Sequence, residues 1–127
     1  MFWSSDGVRP AKRSPDAWRL KQETGGGGVF MDVGSQCLDL LEFFLGEVQS
    51  VTGLTGNVVF DYAVEDTAVV LLRFATGAMG VIETSFAVPF TDNAIDIHGT
   101  EAALRARRTA GPFTDPELVL TNTDGTT

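Results

Sequence analysis

Between residues 28 and 45 the apolar positions recur at steps of three and four: Phe30, Val33, Cys37, Leu41 and Phe44. This is the spacing of one buried face of an α-helix, which closes a turn about every 3.6 residues. Asp32, Gln36 and Asp39 fall together on a narrow polar stripe of the same helix. Gly46 follows Leu45 where a terminating glycine belongs. Gly34, inside the helix, costs about 1 kcal/mol relative to alanine, so close approach of a backbone or a ligand is its expected use. A run of four glycines, Gly25 to Gly28, stands at the mouth of this helix.

After the helix the pattern changes to β-branched and alternating residues. Strands are expected over 48–59, 67–74, 78–86 and 93–98, with closing strands over 102–107 and 117–120. Ala75-Thr76-Gly77 reads as a short hairpin connection. One helix followed by consecutive strands with short turns gives an α+β fold, a mostly antiparallel open sheet with the helix packed on one face. The central strands are apolar on both faces. Val69 and Leu71 oppose Ala68, Val70 and Leu72, and Met79 and Val81 oppose Ile82 and Phe86. One helix covers one face only, so the other is expected to be an interface, with self-association into a homo-oligomer.

Composition narrows the class. With 127 residues, 43% of them hydrophobic, the chain can fill one domain core. No apolar run approaches a membrane span, and the N-terminus lacks the layout of a secretory signal. The single cysteine excludes an internal disulfide and fits a reducing, cytoplasmic setting. Net charge is −8, and five of the nine basic residues precede Gln22. From there to Leu104 only Arg73 is basic, against twelve acids. Such a core repels phosphate backbones, and no nucleic-acid partner is expected. The loop chemistry of residues 1–17 predicts a linker or frayed segment with little regular structure. The domain is expected over 18–121, with a flexible tail over 122–127.

Several side chains could carry chemistry. Asp32 lies near a helix N-terminus, where the macrodipole alone accounts for an acid. Asp39 is either a helix acid bonded to a loop or a ligand contact. Trp18 and Arg19 read as a clamp beside the cleft or as a tryptophan anchoring the linker to the core. His98, the only histidine, reads as an exposed strand residue. Cys37 reads as a small buried hydrophobe. No histidine or cysteine cluster has metal-ligand spacing, and no metal is expected. The glycine run lacks the preceding strand and following acid of a dinucleotide fingerprint.

The segment GGGVFMDVGSQCLD followed by LLEFFLGEV resembles the signature of the Gfo/Idh/MocA oxidoreductases. Trp18-Arg19, Glu65-Asp66-Thr67 and Ile97-His98-Gly99-Thr100-Glu101 are similar to flanking segments of that family. The resemblance covers about residues 18–120, and it matches only the family's C-terminal domain. It implies a fold like the C-terminal domain of dihydrodipicolinate reductase. It also implies an NAD or NADP cofactor held mainly by a separate Rossmann domain, a sugar or polyol-like substrate, and oligomer contacts. By this likeness Asp32 and Gln36 occupy catalytic positions, and Trp18, Arg19 and Asp39 lie on the substrate side. Gly26, Gly27 and Gly28 would bring the helix start close to the nicotinamide.

Gln36 stands where the family carries a catalytic histidine. Oxidising a secondary alcohol requires loss of its hydroxyl proton, and glutamine accepts none. Three readings stay open. A lysine of the cofactor domain transfers the proton while Gln36 positions the hydroxyl; the substrate or direction needs no histidine; or the chain is an inactive relative with a binding role. The isolated chain is expected to be inactive. The alternative to an oxidoreductase domain is a non-enzymatic binding or assembly domain derived from that family.

Overall fold

The computed structural model describes residues 2–4, 18–61, 63–88, 92–109 and 115–126. In chain order the strands are β1 (Phe2–Ser4), β2 (Val48–Gly56), β3 (Thr67–Phe74), β4 (Met79–Ser85), β5 (Ile95–His98), β6 (Ala102–Arg107), β7 (Glu117–Asn122) and β8 (Gly125–Thr126). A short α1 (Gln22–Gly25) ends at Gly26, whose φ of 74° is left-handed and whose N–H donates to the Gln22 carbonyl at 3.0 Å.

The main helix forms where the spacing puts it. Residues 29–45 are helical without a break, but Phe30–Gly34 is a π turn, and the regular α-helix is α2 (Ser35–Leu45). The Ser35 N–H reaches back five residues to the Phe30 carbonyl. Gly34 explains the tight packing here. A Cβ at Gly34 would lie 2.3 Å from Cδ2 of Phe30, so the close approach expected of this glycine is made by the ring one turn earlier. Gly46 closes the helix with a φ of 89°, its N–H donating to the Glu42 carbonyl at 2.9 Å.

Val33, Cys37 and Leu41 are buried, and the contact row continues in steps of four to Leu45. Phe44, expected on the buried face, is instead 47% exposed and packs edge-on against Phe43 with ring centroids 5.4 Å apart. The i, i+4 row wins over the i+3 step at the end of the helix, so Leu45 fills the place assigned to Phe44.

The strands divide into two four-stranded sheets, ordered β1-β4-β3-β2 and β5-β6-β7-β8. All pairings are antiparallel except β1 on β4. The first sheet receives the helix. Ala68, Val70, Leu72, Phe74 and Ile82 turn inward and are buried. Val69, Leu71, Met79 and Val81 turn outward and stay exposed, with Leu54 of β2 opposite Val69. The bare apolar face expected from the sequence is therefore present, and Leu71 at its centre is 54% exposed. The hairpin at 75–77 also forms, Gly77 taking a φ of 88°.

Several features differ from the sequence expectation. β2 stops at Gly56 rather than Val59, because the next amides turn to a buried aspartate. Phe2–Ser4 is a strand, not irregular, since the free edge of β4 offers unpaired backbone groups to an extended segment; residues 5–17 lie outside the described residues. The presumed tail also pairs, Gly125–Thr126 forming a hairpin with β7. The inter-element anchor near residue 18 is Leu20, buried with Val29, Val33, Ala68 and Phe86. Trp18 is exposed and does not anchor the core, because the turn Trp18–Leu20 points its last residue inward instead.

Candidate functional site

The polar ridge is where the pattern predicted it. Asp32 is half-buried, and Gln36 and Asp39 are exposed, on the helix side opposite Val33, Cys37 and Leu41. Gln36 Nε2 donates to the backbone carbonyl of Asp32 at 3.0 Å. That bond turns the Gln36 side chain back along the helix toward Asp32. Between them the three side chains offer two carboxylates and an amide, a set that binds hydroxyl groups by accepting and donating hydrogen bonds.

The helix start is held from a distant part of the chain. Val29, at its first position, makes no side-chain cap bond. Instead Glu65 takes three successive amides. Gly28 N–H donates to Oε2 at 2.9 Å, Val29 N–H to the Glu65 carbonyl at 3.0 Å, and Phe30 N–H to Oε1 at 3.2 Å. The first N–H groups of a helix have no partner within it, and an anion there also meets the favourable end of the macrodipole. Gly28 is what admits Glu65: a Cβ on it would sit 2.0 Å from the Glu65 carbonyl oxygen.

This geometry decides what the glycine run can hold. A phosphate cradle needs free amides at the helix start. Those of Gly28 and Phe30 are already bonded to a carboxylate, so a cofactor pyrophosphate does not fit there. Gly28 is buried and serves the Glu65 contact, whereas Gly26 is exposed and Gly27 half-buried in front of it.

The neighbouring Asp66 is fully buried and equally committed. Its carboxylate accepts the Val58, Val59 and Phe60 amides at 3.0, 2.8 and 2.7 Å and the Thr67 hydroxyl at 2.7 Å. Burial opposes its ionisation, but these four donors outweigh it and hold the carboxyl below its ordinary value. Sequence reasoning noted Glu65-Asp66-Thr67 only as a likeness and missed its structural work. The available signal was an adjacent acid pair ahead of an apolar strand, with no cation nearby to pair it.

The remaining candidates scatter. Trp18 is exposed, its carbonyl accepting the Thr24 hydroxyl at 2.7 Å; Arg19 shares its turn, and its side chain lies outside the described residues. Cys37 is fully buried, and burial pushes its thiol up to about 12, as an inert core residue requires. His98 is exposed at the end of β5. A cleft of about 400 Å3 lies beside it, lined by Leu41, Leu45, Met79 and Asp96 among others; Asp32, Gln36 and Asp39 do not line it. Asp96 is occupied across the strands by Arg105 at 3.0 Å and Arg107 at 3.3 Å. Burial works against its charge, but the Arg105 hydrogen bond and both guanidinium charges keep the carboxyl low. Among the described residues no group of histidine, cysteine and acidic side chains could hold a metal ion.

The family model for the GFO/IDH/MocA C-terminal domain matches residues 2–105. The chain belongs to the Gfo/Idh/MocA family. This Gfo/Idh/MocA domain is 32% identical over 119 residues to the myo-inositol 2-dehydrogenase of Thermotoga maritima, covering 87% of the chain and 36% of that protein. It is 34% identical over 82 residues to a D-apiose dehydrogenase of Rhizobium rhizogenes, covering 61% of the chain and 24% of that protein. Among solved structures, the WlbA dehydrogenase of Bordetella pertussis, in complex with NADH and UDP-GlcNAcA, is 34% identical with a TM-score of 0.68, covering 82% of this chain and 33% of that one. Levoglucosan dehydrogenase with NADH and L-sorbose shares the fold over 99% of this chain and 38% of its own, at 22% identity and a TM-score of 0.82. The Gfo/Idh/MocA domain thus spans about a quarter to two-fifths of the length of these relatives. Among its described residues no helix is long and apolar enough to cross a membrane.

Proposed function

We propose that this chain is the substrate-side domain of an NAD(P)-dependent oxidoreductase acting on a sugar or polyol-like secondary alcohol. The observation that carries this reading is the ridge Asp32–Gln36–Asp39, which faces outward from a helix whose opposite side is locked into the core. Family membership supports it, because the relatives that match over this domain include a D-apiose dehydrogenase and a myo-inositol 2-dehydrogenase.

The roles follow from what each group can do. Asp32 accepts hydrogen bonds from substrate hydroxyls and orients them. Gln36 holds the reacting hydroxyl through its amide but takes no proton, so the base belongs to the cofactor-bearing domain. Asp39 fixes a further hydroxyl. The nicotinamide cofactor supplies hydride transfer when bound. Its phosphates are held elsewhere, since Glu65 fills the helix start here, and only Gly26 and Gly27 are left to approach the nicotinamide side. By itself the chain carries out no turnover.

The open sheet face supports a second part of the proposal, self-association through Leu54, Val69, Leu71 and Val81. A bare apolar surface of this kind is rare unless something covers it.

The test pairs this domain with a cofactor-binding domain and reads polyol-dependent reduction of NAD and NADP. Asp32→Asn is expected to lower kcat/KM by about tenfold to a hundredfold, the range of one or two charge-assisted hydrogen bonds. Gln36→His is expected to raise turnover by adding a second proton acceptor beside the reacting hydroxyl. Unchanged kinetics in the Asp32 variant, or no sugar- or polyol-dependent reduction by either form, contradicts the enzymatic reading and favours an assembly domain.

A further inference from the structure

The ridge is only as well placed as the helix turn beneath it, and that turn is pinned at two points. At one, Phe30 N–H is held by Glu65 Oε1 at 3.2 Å, beside the Gly28 bond to Oε2 at 2.9 Å. At the other, the Phe30 ring lies over Gly34, where a Cβ would come within 2.3 Å of it. Asp32 sits between the pins, inside the π turn that Phe30 and Ser35 close. A π turn adds a residue to the helical ladder, so its position sets how residues before it are rotated against those after it. Gln36 and Asp39 lie after it.

Glu65 is itself rigidly mounted. The next residue, Asp66, is fully buried, its N–H donating to the Gly56 carbonyl at 3.2 Å and its carbonyl accepting the Phe86 amide at 2.8 Å. Thr67 begins β3. A local serine or aspartate cap would satisfy the helix amides but move with the helix. Glu65 reaches them from the segment that leads into β3, 35 to 37 residues away. The bond therefore fixes the rotation of the helix start relative to the sheet, as well as its end.

We infer that Glu65 is a positioning residue for the substrate ridge: without touching substrate, its carboxylate sets the orientation of Asp32 and, through the Asp32 carbonyl, of the Gln36 amide. This rests on the reading of the ridge as the substrate side. Gly28 and Gly34 are then matched parts of the device, one admitting the carboxylate and the other the ring.

Glu65→Ala with acetate added back tests it, because acetate replaces the carboxylate that is removed. Three readouts are taken against an equal ionic strength of chloride. The first is amide hydrogen exchange at Gly28 and Phe30. The second is the Gln36 side-chain amide resonance by nitrogen NMR. The third is the KM for a polyol with the cofactor domain present. The substitution is expected to speed exchange at both amides by at least about tenfold, as for loss of a hydrogen bond to a charged acceptor. It should also move the Gln36 resonance toward that of a free glutamine and raise KM by about tenfold, with a smaller change in kcat. Acetate restores all three and chloride none. Loss of stability alone would leave the Gln36 resonance of the folded fraction unmoved, and that result overturns the inference. So does an unmoved KM in an active enzyme. If the unsubstituted enzyme shows no polyol-dependent turnover, the functional reading fails, and the Gln36 resonance still decides this one. Should Glu65→Ala not fold, Glu65→Gln carries the test. It keeps one acceptor oxygen, so one of the two amides should exchange faster while the other stays protected; protection of both overturns the inference.

Discussion

Replacing Asp66 by alanine removes one carboxylate and four hydrogen bonds together. The donors are the Val58, Val59 and Phe60 amides and the Thr67 hydroxyl, at 2.7–3.0 Å. Each bond to a charged acceptor is worth about 1.5–3 kcal/mol, so simple addition would give roughly 6–12 kcal/mol. That sum overshoots. The side chains of Val58 and Val59 are exposed, and water reaches their amides once the carboxylate is gone. The net loss expected is about 3–5 kcal/mol, the range for breaking a buried charged network. Asp66→Asn keeps one acceptor oxygen but sets an NH2 against backbone donors, so it should lose about 2–4 kcal/mol. Urea unfolding followed by circular dichroism at pH 7 reads both. The pH dependence supplies a second check. The folded-state carboxyl is held below its ordinary 3.8, so its contribution is fully present above that value and disappears as the pH falls through the folded one. The acid-side loss of stability should therefore shrink in Asp66→Asn. A loss under about 1 kcal/mol for Asp66→Ala, or an unchanged acid limb in Asp66→Asn, refutes the reasoning.

Gly34→Ala should destabilise while Phe30 is present, because overpacking of about 1–3 kcal/mol exceeds the gain of about 1 kcal/mol in helix propensity; in a Phe30→Ala background the same change should stabilise, and denaturant titrations of the cycle check the reversal of sign. Leu71→Lys, at the centre of the open sheet face, should convert an associated species into a monomer in sedimentation velocity with little change in unfolding midpoint. A parent chain that is already monomeric at micromolar concentration counts against that face as an interface. Cys37, buried with its thiol near 12, should resist iodoacetamide in the native state and react promptly in urea.

Local periodicity made the helix and its ridge legible. Phe30, Val33, Cys37 and Leu41 reported the buried side, and Asp32, Gln36 and Asp39 the exposed one. The sheet's two apolar faces were equally readable from Val69 and Leu71 against Val70 and Leu72. What was hidden depends on contacts distant in sequence. Nothing near Gly28 announces that its amide is bonded to Glu65, and nothing in the spacing announces the π turn at Phe30–Gly34. Likewise β2 ends at Gly56 because Asp66 captures the amides that follow, although Val58 and Val59 continue the strand pattern. The exchange of Phe44 for Leu45, and of Trp18 for Leu20, reflects which of two neighbouring apolar residues the sheet admits. Residue type alone does not choose between them. The division of the strands into two sheets was likewise not visible in alternation, which specifies faces and not partners.

The measurement that bears most directly on this chain as the substrate half of a cleft is a calorimetric titration of it with NADH. With the Gly28 and Phe30 amides already bonded to Glu65, no heat of binding is predicted at micromolar cofactor. A saturable micromolar dissociation constant for the chain alone would contradict the account.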